Sequence, residues 1–383
     1  MSKIKRFSKI EKKYVLEVLK NNFSTSKSNY FVSKLEKEFA KKYNSKFAIS
    51  FCNGTATMHA ALYAAGVRKN DEVIVTPLTM SSTTFAIKYL DAIPVYADVD
   101  LDTFQILPED IEKKITNRTK AIITVAIYGG SPKLDEIKNI SKKNKLFLLE
   151  DNAETMFSKY KYKFVGNYGD AASFSFQSSK HLTAGEGGMI ITNNSSLADK
   201  IRRFNSLGYA NVGAKKSKIS KIDIQDPNFD RHIDFGFNFR LSDLCAAAVY
   251  GQLKRSKKLV NQRIKVAKIF DSVIKNNNIL KPQSNYKNSI NSYWCYSVKI
   301  TNEKISWKKF RDKFISLGGD GIYAPWKLSY EEPYFKKNLK KINICKNAEY
   351  LQNKILQFKT NYWDLNQAKK QSKILKKTIE YFE

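Results

Sequence analysis

The sequence predicts an α/β protein: a mixed, mostly parallel sheet in a large domain, then a smaller α+β unit. Two observations carry this. Over the first two-thirds, short apolar runs alternate with amphipathic stretches, the rhythm of strand–helix–strand units with helices on both sheet faces. Two later apolar runs, Ala172–Phe176 and Met189–Thr192, flank a glycine-rich turn. A hairpin-like return there would make the sheet mixed.

Taken in order, the candidate strands are Phe47–Phe51, Glu72–Val75, Ile93–Ala97, Ala121–Val125 and Leu146–Leu149. Helical patterns lie between them at Thr55–Ala65, Ser82–Leu90, Pro108–Ile115 and Leu134–Lys143. The polar segment from about Tyr209 to Arg231 reads as a surface loop. One long helical pattern then starts near Leu241, passes through LCAAAVYGQL and continues to about Lys275. From about Asn276 a short strand, Tyr293–Ile300, and two helical patterns form a smaller unit. The expected division is a large domain, 1–275, and a C-terminal domain, 276–383. A chain of 383 residues can bury cores for two or three such units.

Composition narrows the function classes. Hydrophobic residues at 42% and charged residues at 27% fit a soluble globular protein. No apolar run approaches the roughly 18 residues of a membrane span. The opening MSKIKRFSKIEKKYV lacks the apolar core of a secretory signal, so the cytoplasm is the expected location. Cys52, Cys245, Cys295 and Cys345 form no CxxC pair, and His59, His181 and His232 are scattered. Neither a disulfide framework nor a metal centre is expected. The net charge of +31 raises the question of nucleic acid, but the lysines are spread over the whole length. Solvated faces account for that pattern better than a nucleic-acid site, and no helix-turn-helix or RNA-binding signature is present. The densest run, Ala214–Lys221, could touch phosphates, and the overall field would attract an anionic substrate.

Three segments carry chemistry. In SFSFQSSKHLTAGEGGMI, Ser173–Ile190, a lysine sits between a strand end and a tight Gly-Glu-Gly-Gly turn. A partly desolvated lysine can condense with an aldehyde, and glycines let backbone pass close to a ligand. Alone, Lys180 could be one more surface lysine. In LFLLEDNAE, Leu146–Glu154, a strand ends in Glu150-Asp151. Ligands of open α/β sheets bind beyond that strand end, although Asp151 could equally cap a helix. In CNGTATMHAAL, Cys52–Leu62, a strand runs through Asn53-Gly54-Thr55 into a helix, whose N–H groups suit a phosphate.

Together these segments resemble the sugar aminotransferases of the DegT/DnrJ/EryC1/StrS group, which share the aspartate-aminotransferase fold (fold type I). The resemblance spans nearly the whole chain. Besides Gly54-Thr55, Glu150-Asp151, Lys180 and Gly185–Gly188, it includes the Asp71–Val75 segment, Pro94-Val95 with Asp98, and Thr119–Ile122. It continues through Ser175-Phe176 and ends in GFNFR, Gly236–Arg240.

The resemblance implies pyridoxal 5′-phosphate (PLP) as cofactor. Lys180 would hold it covalently and later shuttle a proton. Asp151 would pair with the ring nitrogen. The first turn at Gly54, Thr55 and Ala56, with the Ser175 hydroxyl, would hold its phosphate. Asn238 would reach the phosphate of a neighbouring subunit's cofactor, which implies a homodimer with shared active sites. Glu154 stands near the ring where relatives often carry glutamine or histidine, a choice similar to perosamine-synthase-like members. Met80 replaces the usual aromatic that stacks on the ring, and its sulfur could still pack there. Ala126 replaces a histidine two places before the Tyr128-Gly129 pair.

The implied reaction takes an amino group from L-glutamate to a nucleotide-linked keto-sugar, narrowly a 4-keto-6-deoxyhexose giving GDP-perosamine for surface glycans. Same-fold dehydratases carry histidine in place of the lysine. Here Lys180 keeps the aminotransferase spacing, five residues before Gly185, and His181 lies one place off, which favours transamination. His181 is expected to pack locally. A non-catalytic PLP-binding regulator is the remaining alternative. The aromatic-rich Ser292–Ile300 and Gly318–Phe335 resemble substrate-side segments, with Tyr323 and Trp326 as candidates for stacking on sugar or base.

Overall fold

The computed structural model describes residues 4–21, 23, 30–216, 225–275, 277–339 and 343–383. The chain opens with α1 (Lys9–Lys20), started by a reciprocal capping box between Ser8 and Glu11, and α2 (Tyr30–Tyr43). The strands that follow are β1 (Phe47–Phe51), β2 (Glu72–Val75), β3 (Ile93–Tyr96), β4 (Thr119–Val125), β5 (Phe147–Asp151), the two-residue β6 (Lys159–Tyr160) and β7 (Lys163–Phe164), β8 (Ala171–Ser175) and β9 (Gly188–Thr192). Seven of them form one sheet in the order β1-β9-β8-β5-β4-β2-β3. Pairings from β3 across to β8 are parallel, whereas β9 runs antiparallel to both β8 and β1. The sheet is therefore mixed and mostly parallel.

Helices α3 (Gly54–Ala64), α4 (Ser82–Lys88), α5 (Pro108–Lys113), α6 (Leu134–Lys143) and α7 (Ser195–Phe204) follow strands of this sheet. Every residue of β2, β8 and β9 is buried, which is why they read as apolar runs without alternation. Across one face, Phe39 and Tyr43 of α2 meet the Phe174 ring of β8 edge-on or tilted, at 5.2 and 4.7 Å. Aromatic pairs of this kind add to simple burial.

The single long helix expected from Leu241 to Lys275 is instead two, α8 (Asp243–Lys254) and α9 (Ser256–Ile274). The break falls at Arg255, at φ −117° and ψ 19°. Neither glycine nor proline marks it. The Arg255 guanidinium donates to Glu11 at 2.7 Å, to the Lys5 carbonyl at 2.7 Å, and to the Arg6 carbonyl. That demand comes from the opposite end of the chain, so local periodicity could not register it.

Beyond α9 lies a three-stranded antiparallel sheet, β10 (Leu280–Pro282), β11 (Cys295–Ile300) and β12 (Ile355–Lys359). With it come α10 (Trp307–Ser316), α11 (Pro333–Asn338), α12 (Lys346–Gln352) and α13 (Leu365–Phe382). The sequence reading of one strand and two helical patterns was too lean here. β10 and β12 are short and lack alternation. The strand expected from Tyr293 begins only at Cys295, because Tyr293 has left-handed backbone at φ 53°. Of the basic run Ala214–Lys221, residues 217–221 lie outside the described residues. Among the described residues, no helix is long and apolar enough to cross a membrane.

Candidate active site

The site forms at the carboxyl end of β5, mid-sheet between β4 and β8. Asp151 is its buried floor, 3% exposed. The Thr83 hydroxyl donates to Oδ2 at 2.8 Å and the Ala153 N–H to Oδ1 at 3.1 Å. The residues that follow form a turn, so Asp151 caps no helix. Burial pushes its carboxyl above the ordinary range, while the Lys180 charge pulls it back.

Three residues on, Glu154 is also buried and is pushed up mainly by desolvation. It accepts the Tyr128 N–H at 2.8 Å. Tyr128 turns that N–H inward only by adopting left-handed backbone, φ 61° and ψ 12°. For a bulky residue that conformation costs about 1 kcal/mol or more.

Lys180 lies in the loop from β8 to β9. Its amine sits 3.6 Å from Glu154 Oε1 and 4.6 Å from the centroid of the Trp294 ring. Trp294 in turn stacks on Trp326 with centroids 5.7 Å apart. The Trp294 indole Nε1 is buried with no hydrogen-bond partner among the described residues. Gly129 lets the Trp294 segment come this close. It has φ +99°, and a Cβ there would stand 2.6 Å from the Asn291 side chain and from the Tyr293 nitrogen.

At the other end of the site, α3 begins where β9 crosses it. The Asn53 side chain accepts the Ala56 N–H at 2.8 Å, leaving the Gly54 and Thr55 N–H groups without intrahelical acceptors. Ser175 is adjacent: a Cβ on Gly54 would lie 3.2 Å from the Ser175 Cβ. A Cβ on Gly188 would fall 2.4 Å from the Asn53 carbonyl oxygen, so only glycine allows β9 to pass.

Other sequence candidates are spread more widely. Ala56 is buried in the first turn of α3. Met80 is half-exposed just before α4, and Tyr323 is exposed, its backbone paired with Gln357. Asn238 is exposed, with its backbone bridged to Ser206. Among the described residues, no hydrogen bond, ion pair or ring contact joins Asn238, Met80 or Tyr323 to Lys180, whereas Trp326 is linked to it through Trp294. His181 is fully buried and its Nε2 donates to the Ser292 carbonyl at 3.1 Å. Burial first, then the Arg263 charge, push this imidazole well below its ordinary value, so it is neutral. Sequence reasoning missed Trp294, Thr83 and the Tyr128 N–H. Trp294 had a signal, the SYW triplet. Thr83 had none, since nothing local ties it to a residue 68 positions away.

The chain matches the model of the DegT/DnrJ/EryC1/StrS aminotransferase family over residues 6–374. It belongs to that family. The cofactor of the family is PLP. The chain is 36% identical over 288 residues, 75% of this chain and 74% of the other, to the GDP-perosamine synthase of Escherichia coli O157:H7. Its fold overlays the aminotransferase of Psychrobacter cryohalolentis with TM-score 0.89 at 25% identity, covering 99% of each chain. An E. coli GDP-4-keto-6-deoxy-D-mannose-3-dehydratase with bound hydrated PLP overlays with TM-score 0.85 at 23% identity and 97% coverage of each, a likeness of fold alone.

The residues present fit this cofactor. Two buried carboxylates, Asp151 and Glu154, face a single ammonium, which leaves room for one more cation such as a protonated ring nitrogen. The open α3 N-terminus with the Ser175 hydroxyl offers donors to a phosphate.

Proposed function

We propose that this aminotransferase carries an amino group from L-glutamate to a nucleotide-linked keto-deoxy sugar of the 4-keto-6-deoxyhexose class, with GDP-perosamine as product, for a surface glycan. The observation that carries the reading is the Lys180 amine held between a buried acid and an aromatic wall at the end of β5. The perosamine synthases at 31–36% identity support the choice of sugar.

When bound, PLP supplies the electron sink and holds the amino group between the two half-reactions. The chain supplies the rest. Lys180 Nζ takes the proton from the α-carbon of the donor and returns one to the sugar carbon that receives nitrogen. Asp151 keeps the ring nitrogen protonated. Glu154 sits where the freed Lys180 ammonium needs a counter-charge. Gly54 and Thr55, in the first turn with Ala56, hold the phosphate together with Ser175, and Met80 packs against the ring. Asn238 completes the phosphate site of a second copy, so the working unit is a homodimer. Trp294 and Trp326 flank the substrate, and Tyr323 stands further out. The division into units 1–275 and 276–383 belongs to the same proposal; the second sheet has a core around Tyr296 and Phe358, to which Phe270 of α9 also contributes.

The test is incubation of the PLP-loaded protein with L-glutamate and GDP-, UDP- or dTDP-linked 4-keto-6-deoxyhexoses, read by mass spectrometry. Glutamate-dependent amination with GDP preferred is expected. Loss of a hydroxyl without nitrogen gain would instead make the chain a dehydratase. Turnover of none of these would overturn the choice of 4-keto-6-deoxyhexose as acceptor.

A further inference from the structure

The loop that presents Lys180 is gripped from behind by two guanidinium groups that have no carboxylate partner among the described residues. Arg263, in α9, is 1% exposed. It donates to the carbonyls of Ser179 at 2.9 Å and Lys180 at 3.2 Å. Its other terminal nitrogen donates to the Trp294 carbonyl at 2.7 Å and to the Thr360 hydroxyl at 3.3 Å. Arg6, from the arm before α1, donates to the same Lys180 carbonyl at 3.0 Å and also to the Ser178 carbonyl. Arg6 is itself held, because its own carbonyl and that of Lys5 accept from Arg255 at the break between α8 and α9.

Such an arrangement is costly. A buried guanidinium without a counter-ion loses hydration that neutral carbonyls only partly replace. Burial pulls Arg263 below its ordinary value, and the neighbouring Arg6 charge adds to this. If only a loop needed bracing, a neutral amide would cost less. A planar fork is the side chain that reaches carbonyls on two separate segments at once. The segments bridged here are the one that carries the Lys180 amine and the one that carries the Trp294 ring lying against it.

We propose that Arg263 and Arg6 are positioning residues for Lys180: Arg263 fixes the Lys180 backbone and the Trp294 ring in one register, and the N-terminal arm completes the grip through Arg6. This rests on the assignment of Lys180 as the PLP lysine. It follows that the arm before α1, remote in sequence, sets how well the amine is aimed.

The test uses full-length Arg6→Ala, Arg6→Lys and Arg263→Lys. Cofactor-free protein is mixed with PLP, reduced with borohydride at timed intervals, and mapped at residue 180. Visible circular dichroism per bound cofactor, kcat and KM for glutamate, and Tm are read alongside. Arg6→Ala should slow labelling and lower kcat by about 10-fold, in the range expected when a reacting group is misplaced by a fraction of an ångström. It should weaken the dichroism band while leaving KM within about two-fold. Arg6→Lys, which keeps a charged donor on a shorter side chain than the one that now reaches both carbonyls, should fall between. Arg263→Lys should do more than Arg6→Ala, and because it should also lower Tm, Arg6→Ala carries the decision. Unchanged labelling and dichroism in Arg6→Ala, with only Tm reduced, would overturn the positioning role. Failure of the unsubstituted protein to label at residue 180 would overturn the Lys180 assignment itself, and the grip with it.

Discussion

Glu150 and Asp151 are neighbours on one strand and work in opposite settings. Strand geometry points them to opposite faces of the sheet. On one face Glu150 accepts three backbone N–H groups, from Gly166 at 2.6 Å, Tyr168 at 2.7 Å and Gly169 at 2.6 Å. On the other, Asp151 takes one hydroxyl and one N–H and shares its surroundings with Glu154 and the Lys180 amine. Both carboxyls are buried and both are pushed up by desolvation. The difference is what answers the burial. Around Glu150 the fold itself does so with a closed set of amides, and the carboxylate is finished as a structural part. Around Asp151 the answer is incomplete without a further cation, and an acid left in that state is one kept for a ligand.

Substitutions on the Asp151 side should therefore abolish function and spare the fold. The largest effect belongs to Lys180→Ala. Loss of the group that moves the proton should cost at least about 100-fold in turnover, with Tm near that of the unsubstituted protein. Turnover within a few-fold of normal would remove Lys180 from the mechanism. Asp151→Asn should come next. It keeps the shape and the Thr83 contact, retains PLP by absorbance, and loses about 100-fold or somewhat less in kcat as the ring nitrogen loses its fixed counter-charge. Equal rates for Asn and Asp would make the two carboxylates of β5 alike after all.

The Glu150 side should answer in the reverse sense. Glu150→Gln leaves at least one of three buried amide donors facing a side-chain NH2. An unmet buried donor costs about 1–3 kcal/mol, so a stability loss of about 2 kcal/mol is expected in denaturant melts. Turnover per folded molecule should be unchanged. A variant that melts normally but turns over slowly would erase the contrast.

That contrast also marks how far the sequence could be read. The mixed sheet was legible because its strands are buried on both faces and stand as unbroken apolar runs. Lys180 and Asp151 each sit at a local landmark, a glycine-rich turn and a strand end, but the roles proposed for them came from the resemblance and not from those landmarks. The choice of Asp151 over Glu150 likewise came from the resemblance, since an alternating pattern says only that they face opposite ways. Thr83 under Asp151, Trp294 against Lys180 and Arg263 behind it were hidden for one reason. Each is joined to its partner by contacts across roughly 70 to 115 positions, and nothing in its own neighbourhood requires that contact. The break at Arg255 is the same case, a helix interrupted by a partner far upstream.

The smallest effect is the one that isolates the missing cation. Carboxyls in an unfolded chain titrate near pH 4. In the folded chain burial raises those of Asp151 and Glu154. From about pH 4 up to those raised values the folded, cofactor-free protein holds protons that the unfolded chain has released. Stability must then fall as pH rises through that window, by at most about 1.4 kcal/mol per pH unit for each extra proton held. Glu150 adds to the same slope, and on the opposite face of the strand it should not respond to PLP. A ring cation beside Asp151 favours the charged acid, so PLP should flatten only the share owed to Asp151 and Glu154. Melting the protein across this pH range with and without PLP separates the two shares. Asp151→Asn should already show the shallower slope without cofactor, and PLP should then change it less. If PLP leaves the slope of the unsubstituted protein as it was, the acids beyond β5 are not waiting for a cation, and the two sides of the strand differ in hydrogen bonds alone.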